Sequence, residues 1–314
     1  MLKSISIKAT ADKRQPGLAV VLGSGGVRSI AGLGMLDVLL RAGMVPDLIV
    51  GCSAGALFGA GVAAGNSVDE ALRLATTLWS PELTEQTLWK AYAQLLMPRW
   101  FKFGQDFALR KYQLIMERLG KAFGQVDISD LPTPLRIMAT DATRGTSVVL
   151  ERGDLVQAIR ASISLPFLFS PVKLGEQWLV DGVVSDPLPV SAAADARMVI
   201  AMGFETPMPR KVNRASRLVM QSTTAMINNL QQARIDSARA RGQALVTIMP
   251  NIDRRVGLFQ TSAMPYLVET GRLATQAMLP QIEAMLERRT LSQASTDHSN
   301  HFRWGGRLRS TAVA

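Results

Sequence analysis

Two short apolar runs, each opening into a glycine-rich turn and then a helix, constrain this chain more than any other feature. Residues 18–22 (Leu-Ala-Val-Val-Leu) carry no polar side chain and are followed by Gly23-Ser24-Gly25-Gly26. A run of that length without alternation fits a strand buried on both faces. From about Ile30 to Ala42 the apolar residues Leu33, Leu36, Val38, Leu39 and Leu40 predict a helix, and Gly43 supplies its stop. Leu48-Ile49-Val50 repeats the strand pattern, passes into Gly51-Cys52-Ser53-Ala54-Gly55, and leads to an Ala/Gly-rich helix ending near Asn66. Strands joined through helices run parallel. The expected fold is therefore α/β, three layers of α/β/α around a mostly parallel central sheet.

The rest of the chain continues the alternation. Helices are expected at 68–79, 105–122, 154–163 and 265–287, with a long one between strands at 198–203 and 244–249. Strands are expected at 135–140 and 146–150, joined by a turn at Asp141 to Gly145, and a short one at Trp178-Leu179-Val180 ends in Asp181-Gly182. Aromatic residues are only 6% of the chain against 47% hydrophobic, so Leu, Val, Ile, Ala and Met must build the core. Leu48 to Gly65 holds no charge over 18 residues. Its glycines, and its division into a β-branched run and an Ala-rich helix, argue against a membrane span. The expected organisation is a basic N-terminal extension at 1–17, a catalytic core at 18–207, a helical and strand part of the same domain at 208–287, and a basic, disordered tail at 288–314.

The net charge of +10 is concentrated at the ends. Lys3, Lys8, Lys13 and Arg14 face only Asp12 at one end, and Arg288, Arg289, Arg303, Arg307 and Arg309 face only Asp297 at the other. Such ends either attract an anionic membrane or nucleic acid, or are solvated tails. There is no basic-aromatic motif, so no specific nucleic acid is expected. The single cysteine, Cys52, excludes an internal disulfide framework and a cysteine-cluster metal site. It fits a reducing compartment, and the N-terminus lacks the apolar run of a signal peptide. The expected location is the cytoplasm, with peripheral association at an anionic inner membrane surface. The stretch Leu95 to Phe103 mixes Leu, Met, Trp and Phe with Arg99 and Lys102, which suits either a membrane–water boundary or a packed cap.

Three signals bear on chemistry. Gly51-Cys52-Ser53-Ala54-Gly55 is a G-x-S-x-G pattern between a buried strand and a helix, the setting of a nucleophile elbow. Ser53 is the candidate nucleophile; a structural Gly/Ser turn is the alternative. The loop after the first strand fits neither a dinucleotide fingerprint nor a P-loop, because Arg28 and Ser29 occupy the positions that would need glycine and no Gly-Lys-Ser/Thr follows. It is better suited to an oxyanion hole built from the N–H groups near Gly25, Gly26 and Val27, or is simply a tight turn. The third signal is what the core lacks. The only histidines are His298 and His301, so a Ser-His-Asp triad on the core is nearly excluded. A carboxylate or lysine must take the proton, and Asp181 before Gly182 is the best candidate; an Asp-Gly turn is the alternative. No metal or cofactor is expected.

The order of Gly-rich loop, Ser elbow and Asp-Gly resembles the patatin-like phospholipase family. Ala161-Ser162-Ile163-Ser164-Leu165-Pro166-Phe167 and Val180-Asp181-Gly182-Val183-Val184-Ser185-Asp186-Pro187-Leu188-Pro189-Val190 are similar to that family's run around its catalytic aspartate. Ala139-Thr140-Asp141, Gly145 and Val148-Val149-Leu150 are similar to it as well. The resemblance spans about Leu18 to Phe204, with Ser29 and Val183 standing where the family usually has smaller residues. It implies a Ser-Asp dyad, with Ser53 as nucleophile and Asp181 as general base. It also implies Gly25 and Gly26 in the oxyanion loop, Arg28 at a basic position beside it, and Gly51, Gly55 and Gly182 as supporting positions. The activity so implied is a serine esterase or lipid acyl hydrolase, a phospholipase or lysophospholipase passing through an acyl-serine intermediate. An acyltransferase with the same dyad, or a non-catalytic lipid- or protein-binding scaffold, are the alternatives.

Overall fold

The computed structural model describes residues 15–80, 82, 108–109, 112–209 and 212–303. Eight strands form one sheet: β1 (Leu18–Leu22), β2 (Leu48–Cys52), β3 (Leu135–Asp141), β4 (Thr146–Leu150), β5 (Val172–Leu174), β6 (Gln177–Asp181), β7 (Met198–Met202) and β8 (Leu245–Ile248). Across the sheet the order is β5-β6-β3-β2-β1-β7-β8, with β4 also on β3. The pairs from β3 through β8 are parallel; β4, β5 and β6 add antiparallel pairs at one side.

Both faces of the sheet are covered, as the uninterrupted apolar runs require. Side chains alternate along each strand. Leu18, Val20 and Leu22 of β1 join one core with Ile49, Leu135, Ile137 and Ile200. Ala19 and Val21 join the other with Leu48, Val50, Val199 and Leu245. The first face packs against α1 (Ala31–Arg41), α2 (Ala54–Ala63), α3 (Val68–Leu78), α4 (Gln113–Phe123), α5 (Leu155–Ser162) and α7 (Met264–Arg303). The second packs against α6 (Ala215–Ala240) and a 3-10 turn at Val190–Ala193. Local signals set several starts. Ser67 and Glu70 form a reciprocal capping box on α3, and Asp154 accepts from Gln157 N–H at the start of α5.

The expected elements are found with shifted ends. The first helix is preceded by a 3-10 turn, Gly26–Ile30. β5 was not foreseen, because three residues (Val172-Lys173-Leu174) are too short to show a period. The helix expected from 105 begins at Gln113. The helix expected to stop at 287 continues to Arg303, through residues expected to be a disordered tail. Polar composition removes burial, but Leu, Glu, Arg, Gln and Ala keep good helix propensity. The Leu95 to Phe103 stretch lies outside the described residues. Among the described residues, no helix is long and apolar enough to cross a membrane.

Candidate active site

The site forms where β2 ends. Along one edge of β3, Ile137 and Met138 pair with β2 at Gly51 and Cys52, and Ala139 to Asp141 pair with β6. β4 occupies the other edge over all of these residues. β6 therefore takes over the β3 edge at the residue where β2 turns away. It runs antiparallel and meets β2 end to end, which brings Asp181, opposite Ala139, beside Ser53. The sequence placed Asp181 at the end of a strand but not the opposite direction of that strand.

Ser53 lies at the turn from β2 into α2 with φ 56° and ψ −128°, outside the regions that side-chain-bearing residues favour. Its N–H donates to Ser162 Oγ at 2.9 Å, and that hydroxyl donates in turn to the Met138 carbonyl at 2.7 Å. The sharp turn is possible because β2, α2 and the glycine loop approach without side chains between them. A Cβ on Gly51 would lie 2.4 Å from Ala56 Cα, and one on Gly55 would lie 2.4 Å from the Leu22 carbonyl oxygen. Gly182 is equally confined, 2.6 Å from the Met138 carbonyl oxygen.

Ser53 Oγ donates to Asp181 Oδ2 at 2.6 Å. Asp181 Oδ1 accepts from the Val183 N–H at 2.9 Å, so both carboxylate oxygens are held. The backbone of Asp181 is fixed as well: its N–H donates to the Ser164 carbonyl, and its carbonyl accepts from Thr140 Oγ1. Burial pushes the Asp181 carboxyl up to about 7, against the opposing pull of the Ser53 and Val183 hydrogen bonds. Asp186 sits in the same corner. Burial raises it to about 6, and Arg234, 3.4 Å away, acts in the other direction. Cys52 is fully buried, and burial raises its thiol well above its usual value, which makes it a poor nucleophile.

The glycine loop lies over the N-terminus of α2. Gly23 N–H donates to the Met202 carbonyl, Ser24 N–H to Pro187, and Val27 N–H to Leu258 at 2.9 Å. Val27 was expected among the oxyanion donors, but in this structure its N–H is engaged. Among the described residues, nothing accepts from the N–H of Gly25 or Gly26. Arg28 holds the loop through Gly25 O, Glu205 O and Thr206 Oγ1, all uncharged partners. Burial lowers its guanidinium below the usual value, so it is a poorly solvated cation beside the loop. Ser29, despite its size, is satisfied: its hydroxyl donates to Gly23 O at 2.9 Å.

Sequence reasoning singled out Ser53, Asp181 and the loop but assigned no role to Ser162, Thr140 or Asp186. All three fall in the runs that carried the resemblance, yet pattern alone does not show which hydroxyl meets which backbone atom. A narrow gap, too small for more than about one water, lies at Ser164, whose carbonyl accepts from Asp181 N–H; Trp79, Ile115 and Phe169 line it together with Tyr112 and Arg160. Phe259 stacks on Trp79 at 5.3 Å. A larger open cleft at Gly17, Asp47, Arg197 and Arg241 lies at the N-terminal ends of the parallel strands, the edge opposite Ser53.

Residues 20–194 match a family model described as patatin-like phospholipase. An uncharacterised NTE family protein of Mycobacterium tuberculosis (strain H37Rv) is 35% identical over 191 residues, 60% of this chain and 49% of that protein. Neuropathy target esterase sws of Drosophila melanogaster is 30% identical over 189 residues, 59% of this chain and 13% of that protein. The chain thus spans about half or less of the length of these relatives. A crystal structure of VipD from Legionella pneumophila superposes with a TM-score of 0.48 at 15% identity, covering 85% of this chain and 67% of that one.

Proposed function

The chain belongs to the patatin-like phospholipase family, and from that premise we propose that it hydrolyses acyl esters of lipids with Ser53 and Asp181 as a catalytic dyad. The observation that carries this is the 2.6 Å hydrogen bond from Ser53 Oγ to a buried carboxylate, at a strained strand-to-helix turn. Ser53 Oγ attacks the ester carbonyl carbon, and its proton passes to Asp181 Oδ2. The N–H groups of Gly25 and Gly26 receive the oxyanion, with the α2 N-terminus and Arg28 favouring its charge. Collapse breaks the ester C–O bond, and the proton on Asp181 goes to the leaving alcohol. A water then gives its proton to Asp181 as its oxygen attacks the acyl-Ser53 carbonyl. The second collapse returns the proton to Ser53 and releases the fatty acid.

An aqueous aspartate, at about 3.9, is a weak base for a serine. A carboxyl raised to about 7 is much better matched to proton transfer near neutrality. The family match, described as patatin-like phospholipase, is what supports a lipid over a small polar ester. Phospholipids and lysophospholipids are the substrates to try first. Turnover of such a panel by wild-type protein, with loss of about a thousandfold or more in Ser53→Ala, is the expected outcome. Near-normal turnover by purified Ser53→Ala would sink the assignment.

A further inference from the structure

α6 is much longer than the sheet it covers. Its 26 residues extend about 39 Å at 1.5 Å each, whereas the five residues of β7 span only about 17 Å. The C-terminal part is anchored. Ile235 and Ala238 are buried in the second core, Gln231 Oε1 accepts from Phe204 N–H, and Asn228 bonds both backbone groups of Thr206. Ala240 leads by a short turn to Leu245 at the start of β8, and Phe204 to Thr206 follow the end of β7. The helix therefore runs against the parallel strands, and its N-terminal part overhangs the edge that carries Ser53.

The start of that overhang is apolar and exposed, although Thr224 further along it is buried. Arg217, Leu218, Val219 and Met220 are all exposed. Four consecutive residues at 100° steps sample every side of a helix, so among the described residues no layer lies over any side of it at these positions. Leu218, Val219, Met220 and Met226 are 54%, 62%, 60% and 71% exposed. The charge around them has one sign. From Thr206 to Ile235 the chain has no Asp or Glu, and Arg214 and Arg217 stand beside the exposed apolar residues, whereas Arg234 lies at the anchored end and pairs with Asp186. An exposed apolar helix end that carries Arg214 and Arg217, in a segment without Asp or Glu, matches the chemistry of an anionic bilayer interface. Two copies of the same end would instead bring like charges together.

We infer that the overhanging end of α6, around Leu218, Val219 and Met220, inserts into the interface of an anionic lipid bilayer. Insertion sets the Ser53 edge of the sheet against the membrane. Asn228 to Thr206, Thr206 to Arg28 and Arg28 to Gly25 form a continuous chain of hydrogen bonds from this helix to the glycine loop. The inference rests on length, exposure and charge, and stands independently of the hydrolase proposal.

The test is co-sedimentation of the full chain with vesicles of phosphatidylcholine containing phosphatidylglycerol, and with phosphatidylcholine alone. Wild type and Ser53→Ala should bind the anionic vesicles alike. A Leu218→Ser, Val219→Ser, Met220→Ser variant should bind about tenfold more weakly at any salt. An Arg214→Gln, Arg217→Gln variant should lose about fivefold per cation at low ionic strength and much less at high salt. Both variants should keep the wild-type circular dichroism spectrum, since no packed residue is touched. Equal vesicle binding by wild type and the triple variant would overturn the inference. So would no binding by wild type, or a wild-type dimer that the triple variant converts to monomer.

Discussion

At the residue scale, the site rests on a carboxylate held where it is costly to ionise. Asp181 is almost fully buried, and among the described residues its carboxylate has no cation as hydrogen-bond partner, only the Ser53 hydroxyl and the Val183 amide. Its folded-state value near 7 lies above the unfolded one, so the folded protein binds the extra proton between about pH 4 and pH 7. Stability from this group is fully present below about pH 4 and is lost as pH rises through 7, while the basic form needed for catalysis appears over the upper part of that rise. Two outcomes follow. Turnover should climb through an acid limb with an apparent pKa near 7 and level off above it. Asp181→Asn should lose turnover yet unfold at higher temperature than wild type at about pH 8, with the difference vanishing at about pH 4. Equal melting curves at both pH values would contradict the burial account. Ser162 has a separate role, holding the N–H of Ser53 at its strained turn. Ser162→Ala leaves that buried donor unpaired and should cost about 1–3 kcal/mol in stability. A fall in kcat of about tenfold or more, with KM little changed, would mark loss of Ser53 positioning.

At the element scale, the turn that carries Ser53, the proposed nucleophile, depends on how closely α2 approaches β1 and β2. A methyl group on Gly55 would meet the backbone carbonyl of Leu22, which cannot rotate aside as a side chain can. Gly55→Ala should therefore destabilise by about 1–3 kcal/mol and reduce turnover, as chemical denaturation and ester assay would show. The strand-turn-helix around Ser53 was legible in the sequence because buried parallel strands read as unbroken apolar runs and glycine marks close contact. The handover of the β3 edge from β2 to β6 was not. It depends on pairing between Ala139 and Asp181, residues far apart in sequence, and no local period reports such a contact. The hydrogen bonds of Ser162 and the engagement of Val27 N–H by Leu258 are tertiary in the same sense. The end of α7 was missed for another reason: residues 288–303 are polar in sequence and carry no hydrophobic stripe to mark a helix.

At the scale of the whole molecule, the sheet separates two edges. Ser53, Asp181, the glycine loop and the overhang of α6 all belong to the end where the parallel strands finish. The polar cleft at Asp47 and Arg197 belongs to the other. This matches the general tendency of α/β sheets to build sites beyond the carboxyl ends of their strands. Much of the positive charge of the chain lies in its terminal segments and in residues 206–235, where Arg214 and Arg217 sit at the start of α6, at the Ser53 edge of the sheet.

The central claim is that Ser53 is an activated nucleophile and Asp181 its base. Covalent labelling by a fluorophosphonate probe, followed by peptide mass spectrometry of wild type, Ser53→Ala and Asp181→Asn, tests it most directly. The account predicts a single adduct on Ser53 in wild type, none in Ser53→Ala, and labelling slowed by about a hundredfold or more in Asp181→Asn. An adduct on another residue, or labelling of Asp181→Asn at the wild-type rate, would contradict it.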